Sequence, residues 1–434
     1  MRFLEIDREL TRLSYYDATA PRGVSFPALP GATQADVAIV GGGLAGLSAA
    51  IELRQRGMDV VLLEAQQVGF GASGRNGGQA IHGLACDQAT IEAELGIEEA
   101  RRTWAMSLEA IDLIRARCKA FGIDCDWRDG YLGVAVNARK ARALREGVDH
   151  LATHYGFEQT WIDQPDLPRW IASPRYVAAA YDGRSGHLHP LKYTLGLARA
   201  AVSLGVRLHE RTTVTALKPG AVAELATPHG PVRARQVLLA GNVYLQEFSP
   251  LLARPLSPRI MPVGTYITCS QALDPALAAS LVPCGAAVCD NNFVLDYFRP
   301  TADHRMLYGG RASYTTQTPA HLADGMQRRM AATFPQLAGT RVEYAWGGFV
   351  DISFSRAPDF GRLGSNVYYL QGFSGHGLAL TGLAGRVVAE AMAGDASRFD
   401  VFAKLRHREF PGGRLLRMPA LALGMAYYRL KDLL

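Results

Sequence analysis

Residues 36–64 read DVAIVGGGLAGLSAAIELRQRGMDVVLLE: a strand, a glycine turn, a helix, a second strand and an acidic end, in that order. The apolar run Val37 to Val40 predicts the first strand. Gly41, Gly43 and Gly46 follow at the spacing that opens a helix toward an incoming pyrophosphate. Gly41 permits the tight turn, Gly43 lets the phosphate approach the main chain, and Gly46 lets the helix pack closely on its strand. Leu44 and Ala45 begin that helix, where backbone N–H groups have no intrahelical acceptor. The second strand, Val60 to Leu63, runs into Glu64 and Ala65. A carboxylate there accepts hydrogen bonds from ribose hydroxyls and repels the extra phosphate of an NADP-type ligand. The unit predicts a bound dinucleotide and leaves FAD and NAD both open.

Two further segments bear on that choice. Residues 68–79, VGFGASGRNGGQ, have no apolar periodicity and read as a backbone-rich loop that can thread along an extended ligand. Gly74, Gly77 and Gly78 free its main chain, while Ser73, Arg75, Asn76 and Gln79 carry side chains that reach phosphate or ring edges. A mobile surface loop is the alternative reading. Residues 371–392, QGFSGHGLALTGLAGRVVAEAM, form a glycine-rich turn feeding a small-residue helix whose N-terminus is a second anion site. Facing the pyrimidine side of a flavin, such a helix start stabilises the negative charge that accumulates on reduction. His376, between glycines, reads either as a packed histidine or as a flavin or substrate contact.

The turn Gly372-Phe373-Ser374-Gly375-His376-Gly377, the N-terminal nucleotide unit and the loop at 71–79 together resemble the D-amino-acid-oxidase superfamily of FAD enzymes. Within it the likeness is nearest to gamma-glutamylputrescine oxidases and related bacterial amine oxidases. It extends over Ser14-Tyr-Tyr-Asp, Val294-Leu-Asp-Tyr-Phe-Arg, Leu307-Tyr-Gly-Gly-Arg and Gly361-Arg-Leu-Gly-Ser-Asn-Val-Tyr-Tyr. The resemblance implies an α/β fold: a Rossmann-like FAD-binding domain with an α+β substrate domain on a mixed, largely antiparallel sheet. It implies an arm at 1–34, an FAD domain assembled from 35–85, 175–250 and 355–395, a substrate domain from 86–174 and 251–354, and a helical tail at 396–434. Some sarcosine-oxidase relatives bond FAD to a cysteine before the Gly-Phe-Ser-Gly-His-Gly turn, and dimethylglycine-type enzymes use a histidine in the 68–79 loop. This chain has no cysteine after Cys289 and has Arg75 and Asn76 in that loop, so non-covalent FAD is expected.

Local patterns fit that division. Arg207 to Ala216 reads as a β-branched strand able to cover an adenine with Val214, and Gln236-Val-Leu-Leu-Ala ends in a second nucleotide-side turn at Gly241. Leu191 to Val202 and Ile91 to Phe121 are helical in pattern, followed by a short strand from Tyr131. Strand patterns dominate 259–350, at Met261 to Thr268, Phe293 to Phe298, Met306 to Gly309 and Val342 to Phe349.

For chemistry, the resemblance implies hydride transfer from an amine carbon to FAD, after which the imine hydrolyses; substrate binding and orientation are then the protein's main task. A carboxylate on the substrate calls for an arginine clamp. Arg299, after Tyr297-Phe298, and Arg311, after Gly309-Gly310, are the candidates, with a structural ion pair the alternative for each. Tyr297, Phe298 and Trp346 either wall an amine slot or pack a core. Oxygen-using relatives carry a lysine near Leu307. This segment, His304-Arg-Met-Leu-Tyr-Gly-Gly, has none, so oxygen and a membrane quinone both stand as acceptor, and a protonated His376 is the substitute charge. Gamma-glutamylputrescine or a similar polyamine conjugate is the first expected donor, oxidised with release of hydrogen peroxide, and a cyclic secondary amino acid such as L-pipecolate the second. A non-catalytic FAD-binding subunit and an NAD-dependent enzyme remain as other classes.

The 434 residues, 48% hydrophobic and 20% charged, describe a globular protein large enough for two domains. The six cysteines, Cys86, Cys118, Cys125, Cys269, Cys284 and Cys289, show no metal-ligand spacing, and free thiols in a cytoplasmic protein are expected. Net charge is +6, but the basic residues are scattered and carry no nucleic-acid-binding motif. No segment reads as membrane-spanning or as a secretory signal. The C-terminal stretch from Phe410, apolar with Arg414, Arg417, Arg429 and Lys431 at its flanks, is a candidate for peripheral contact with an anionic membrane, or for packing on its own domain or a second subunit. Oligomeric state is left open.

Overall fold

The computed structural model describes residues 14–411, except Val24 and residues 314–318, and at 311–313 the backbone alone. The first thirteen residues of the arm and the tail beyond Pro411, with its candidate membrane contact, lie outside the described residues.

Two sheets organise the chain. In the eight-stranded one, Thr33–Val40 is central, parallel to Val232–Leu239 on one side and Val60–Leu63 on the other, with Arg207–His209 beyond. Val367–Gln371 continues the parallel run, and Asp359–Leu363 closes that edge antiparallel. Val37–Val40 and Val60–Leu63 are buried throughout, as strands with helices on both faces must be. Helix Leu44–Gln55 packs against helix Gly377–Met392 closely enough that a Cβ on Gly385 would lie 2.5 Å from Ser48 Oγ. The Ser48 hydroxyl donates to the Gly382 carbonyl at 2.5 Å. The small residues of 377–392 are thus the contact surface between two helices. Glu52 of the first helix draws three arginines together, Arg56 at 2.7 Å and Arg117 and Arg386 each at 3.0 Å.

The nine-stranded sheet is antiparallel except where Ala287–Asp290 runs parallel to Arg128–Ala135, so it is mixed and largely antiparallel, as expected. Its longest pair is Ile260–Ser270 with Val342–Ser353. A bulge opposite Tyr266 and Ile267 falls at Gly310 in strand Met306–Ser313. Gly310 has φ +152°, and a Cβ there would lie 2.4 Å from Asp296 Oδ1, which is why glycine occupies the bulge.

Ala178–His187 and Gln79–Ala80, from the 175–250 and 35–85 segments, pair with each other in the nine-stranded sheet. Several strand and helix expectations are corrected. The strand expected over 207–216 is two short ones, Arg207–His209 and Ala216–Lys218. The intervening buried Glu210 and Thr212 leave the ladder to accept backbone N–H groups of Phe26, Val68 and Leu29. The helical region 91–121 is two helices, Gln88–Leu95 and Ile97–Phe121, broken at Gly96 with φ +80°. The strand expected over 293–298 begins only at Tyr297.

Candidate functional site

A cavity of about 1590 Å³ runs between the two sheets. Pockets for one small ligand are roughly 300–1,000 Å³, so this one accommodates a dinucleotide with a substrate beside it. Gly41, Gly43, Leu44, Ala45, Glu64 and Ala65 line one end. Gly41 takes φ +118°, and a Cβ on it would lie 2.7 Å from the Ala240 carbonyl oxygen. A Cβ on Gly46 would lie 2.0 Å from the Gly41 oxygen, so Gly46 serves the turn from behind the cavity wall. Glu64 accepts the N–H of Gly42 at 2.7 Å and of Gln66 at 2.8 Å, and burial raises its carboxyl. Val214 and Gly241 complete this end. These residues fit the adenosine and pyrophosphate of a dinucleotide.

In the 68–79 loop, Ser73, Asn76, Gly77 and Gln79 line the cavity. Ser73 Oγ accepts the Leu44 N–H at 3.0 Å, joining the loop to the helix start. Asn76 binds back into the loop, donating to the Ala72 carbonyl and accepting the Gly78 N–H, both at 2.9 Å. Arg75 is not brought to the cavity: its guanidinium is buried over the Phe70 ring at 4.6 Å, and its carbonyl accepts Trp346 Nε1–H at 2.9 Å. Gly74 and Gly78 act through space, since a Cβ would lie 2.3 Å from the Gly69 oxygen or 2.2 Å from the Leu188 oxygen.

The 372–377 turn hangs on Asp351, which the sequence reading missed. Its Oδ2 accepts the N–H groups of Gly372 and of Phe373, the latter at 3.0 Å, and its carbonyl accepts that of Ser374 at 2.9 Å. Burial pushes the Asp351 carboxyl up to about 6, against the pull of those two N–H groups. An acid inside the apolar strand sequence Phe349-Val-Asp-Ile was the available signal. Ser374 holds φ +53°, a strained value for a non-glycine residue, and its hydroxyl accepts the Ser353 N–H at 3.2 Å. Phe373, Ser374, Gly375, His376 and Gly377 line the cavity, whereas Gly372 lies behind it, where φ +77° and the nearby Asp359 main chain exclude a side chain.

His376 precedes helix Gly377–Met392 and makes no side-chain cap, so the helix's first N–H groups are left for a ligand. Its Nε2 lies 3.0 Å from the His82 carbonyl oxygen and 3.2 Å from that of Ile81. Two acceptors at one ring nitrogen place the proton there. Burial, then the nearby His82, lowers its pKa to about 4. Both influences favour the neutral imidazole, whereas the sequence reading offered a protonated His376 as a substitute charge near the flavin.

At the other end, Tyr297 lines the cavity with its ring seated on two glycines: a Cβ on Gly309 would lie 2.1 Å from Tyr297 Cζ, and one on Gly77 would lie 2.6 Å from Cε2. Arg299 is not brought to the cavity. It is 3% exposed, and its guanidinium donates to the Gly77 carbonyl at 2.7 Å, the Tyr16 hydroxyl at 3.2 Å and the Pro300 carbonyl at 3.4 Å. Arg311 is paired with Tyr266 in the ladder, and its side chain lies outside the described residues. Phe298 and Trp346 are fully buried core residues. Among the described residues, the cations that line the cavity are Arg139, Lys140 and Arg356, none of them singled out by sequence because no motif marks them. They share one wall. Lys140 Nζ donates to Asn292 Oδ1, its carbonyl accepts Asn291 Nδ2–H at 3.0 Å, and Arg356 lies over the Phe293 ring at 4.6 Å. No group of metal-ligating side chains occurs among the described residues, and no described helix is long and apolar enough to cross a membrane.

A family model described as FAD dependent oxidoreductase, DAO, matches residues 36–391. The chain is 43% identical over 420 residues to gamma-glutamylputrescine oxidoreductase of Escherichia coli (strain K12), covering 96% of this chain and 98% of that protein. It is 40% identical over 423 residues to a probable oxidoreductase, OrdL, of Haemophilus influenzae, covering 96% and 97%. Among solved structures, glycine oxidase from Geobacillus kaustophilus shares the fold with a TM-score of 0.72 at 22% identity, over 86% of this chain and 99% of that one.

Proposed function

The chain belongs to the DAO family of FAD-dependent oxidoreductases, and we propose that it oxidises the terminal amine carbon of gamma-glutamylputrescine or a similar gamma-glutamyl polyamine conjugate. At the coarser level it is an FAD-dependent oxidoreductase of amines or amino acids. The identity to the Escherichia coli relative supports the finer reading, and the observation that carries it is the placement of charge. A simple amino acid bears its carboxylate beside the reacting carbon, whereas a gamma-glutamyl amine bears it at the far end of a flexible chain. Arg299 is committed to the protein, whereas Arg139 stands exposed on the cavity wall at the start of helix Ala138–Tyr155, beside Lys140 and Arg356, which add positive charge to that wall while holding Asn292 and the Phe293 ring. That wall suits the glutamyl carboxylate, and Tyr297 offers a face to the aliphatic amine.

Bound FAD supplies the two-electron acceptor for the hydride, and the imine product hydrolyses in water to aldehyde and ammonia. The chain's own contribution is to bind and orient. The helix starts at Leu44, whose own N–H is taken by Ser73 Oγ, and at Gly377 would offer their remaining N–H groups to anionic parts of the cofactor. Neutral His376 offers no charge, and its Nε2–H is held by the 81–82 carbonyls. FAD is held without a covalent bond: no cysteine follows Cys289, and burial raises that thiol far above its ordinary range. Acid precipitation should accordingly release all yellow colour to the supernatant. Oxygen, reduced to hydrogen peroxide, is the proposed acceptor.

The test is the visible spectrum of the purified protein under anaerobic conditions while gamma-glutamylputrescine, L-pipecolate, L-proline, sarcosine and putrescine are added in turn. Bleaching of the flavin band by the first, reversed by air with formation of peroxide, is expected. Bleaching by L-pipecolate alone would establish the cyclic amino acid instead. Reduction that air does not reverse but a quinone does would replace the acceptor, and a yellow protein bleached by no amine would be a non-catalytic flavin module.

A further inference from the structure

All six cysteines are free thiols, and two of them face each other: Sγ of Cys118 and Sγ of Cys125 are 3.5 Å apart. The fold holds them so. Helix Ile97–Phe121 ends at Gly122 in the left-handed conformation, φ +61°, and the N–H groups of Gly122 and Ile123 both return to the Cys118 carbonyl. This reversal carries Cys125 back over the last helical turn. The returning segment is then fixed from the other side. The His189 N–H donates to the Cys125 carbonyl at 2.7 Å, Lys192 pairs with Asp126 at 2.8 Å, and Ile123 is wedged against Gly196, where an added Cβ would lie 2.4 Å from Ile123 Cγ2.

We propose that Cys118 and Cys125 are a modification site whose ligand is a hydroperoxide and whose product is a reversible disulfide. A disulfide needs its sulfurs at about 2.0 Å, so the observed separation must close by about 1.5 Å. Cys118 is half-buried and Cys125 buried, which makes Cys118 the sulfur that meets the oxidant and Cys125 the one that resolves. Their hydrogen bond, the largest influence on each, lowers the Cys118 thiol and raises that of Cys125, in the same order. The Cys118 thiol gives up its proton and the thiolate attacks one peroxide oxygen; the O–O bond breaks, giving a sulfenic acid and hydroxide, which takes up that proton to become water. Cys125 sulfur then attacks the sulfenic sulfur; the S–O bond breaks, the S–S bond forms, and the thiol proton leaves with hydroxide as a second water. Two thiols lose two electrons and two protons, and one peroxide becomes two waters. Neither sulfur lines the large cavity, so the site stands apart from the proposed amine chemistry.

The full-length, FAD-loaded protein is treated with hydrogen peroxide in the absence of amine, blocked with iodoacetamide under denaturing conditions, digested without reductant and mapped by mass spectrometry. The expected result is a cross-linked pair of peptides bearing Cys118 and Cys125, lighter by two hydrogens and restored by dithiothreitol. It should form before Cys86, Cys269, Cys284 or Cys289 reacts. In Cys125→Ser, dimedone should trap a sulfenic acid on Cys118 with no cross-link. Recovery of both residues in alkylated form after the other thiols have oxidised, or Cys118 passing to the sulfonic acid beside an intact Cys125, would overturn the proposal. The wild-type map decides this even where the variant fails to fold.

Discussion

Arg299 Nε lies 2.7 Å from the carbonyl oxygen of Gly77, so the guanidinium expected to hold a substrate holds the cofactor-side glycine loop instead. Through the Tyr16 hydroxyl at 3.2 Å it also reaches the helix Tyr15–Thr19, tying arm, loop and substrate sheet at one buried point.

Arg299→Met should therefore act on stability and flavin retention. Leaving the buried Gly77 acceptor unsatisfied costs about 1–3 kcal/mol. Any loss of turnover should be the same for carboxylated and uncarboxylated amines, as read from kcat/KM for gamma-glutamylputrescine and putrescine. A selective rise in KM for the carboxylated compound would return Arg299 to the role of clamp.

Arg139 is exposed on the cavity wall at the second residue of helix Ala138–Tyr155. Removal of an exposed charge partner is worth about 0.2–1 kcal/mol. Arg139→Ala should thus raise KM for gamma-glutamylputrescine by about 1.4-fold to fivefold and leave that for putrescine unchanged. Equal effects on the two would remove the carboxylate from this wall.

Buried titratable groups pull stability in opposite directions with pH. His187 and His189 are pushed down to about 3 and His376 to about 4, each first by burial. Unfolding lets them bind protons, so stability falls as pH drops from about 6.5 toward those values. Asp351 and Asp290, raised by burial to about 6, act oppositely: their contribution is fully present below the unfolded value of 3.8 and is lost as pH rises through 6. Asp351→Asn should gain on wild type by at most about 3 kcal/mol between pH 4 and pH 6. Urea denaturation of the apoprotein at several pH values measures the difference, and parallel curves would show that the Asp351 carboxyl titrates alike in both states.

What could be read from the sequence was what the backbone demands. Gly41 and Gly46 are legible because their Cβ atoms would strike carbonyl oxygens at 2.7 and 2.0 Å, and the buried runs Val37–Val40 and Val60–Leu63 because parallel strands admit little else. Arg299 was illegible because its partners, Gly77 and Tyr16, lie 222 and 283 positions away. Nothing local distinguishes a clamp from a tie. The false strand at 210–215 has the same cause: β-branched Thr212 and Val214 favour a ladder, and distant N–H groups on Phe26, Leu29 and Val68 claim Glu210 and Thr212 for hydrogen bonds.

Gly43 and Gly46 of the nucleotide turn should differ in what rescues them. A Cβ on Gly46 meets the Gly41 backbone oxygen at 2.0 Å, whereas one on Gly43 meets the Ser73 side-chain oxygen at 2.8 Å. Backbone has nowhere to go without opening the turn, but a serine hydroxyl can be removed. Gly46→Ala should lose FAD retention in any background. Gly43→Ala should weaken it, and Ser73→Ala should restore part of the loss despite forfeiting the 3.0 Å bond from the Leu44 N–H, because the steric conflict is larger than one hydrogen bond of about 1 kcal/mol. Flavin-to-protein absorbance ratios of the three variants decide it. If Gly43→Ala with Ser73→Ala retains no more flavin than Gly43→Ala alone, the conflict lies with the cofactor itself and Gly43 is required for its close approach.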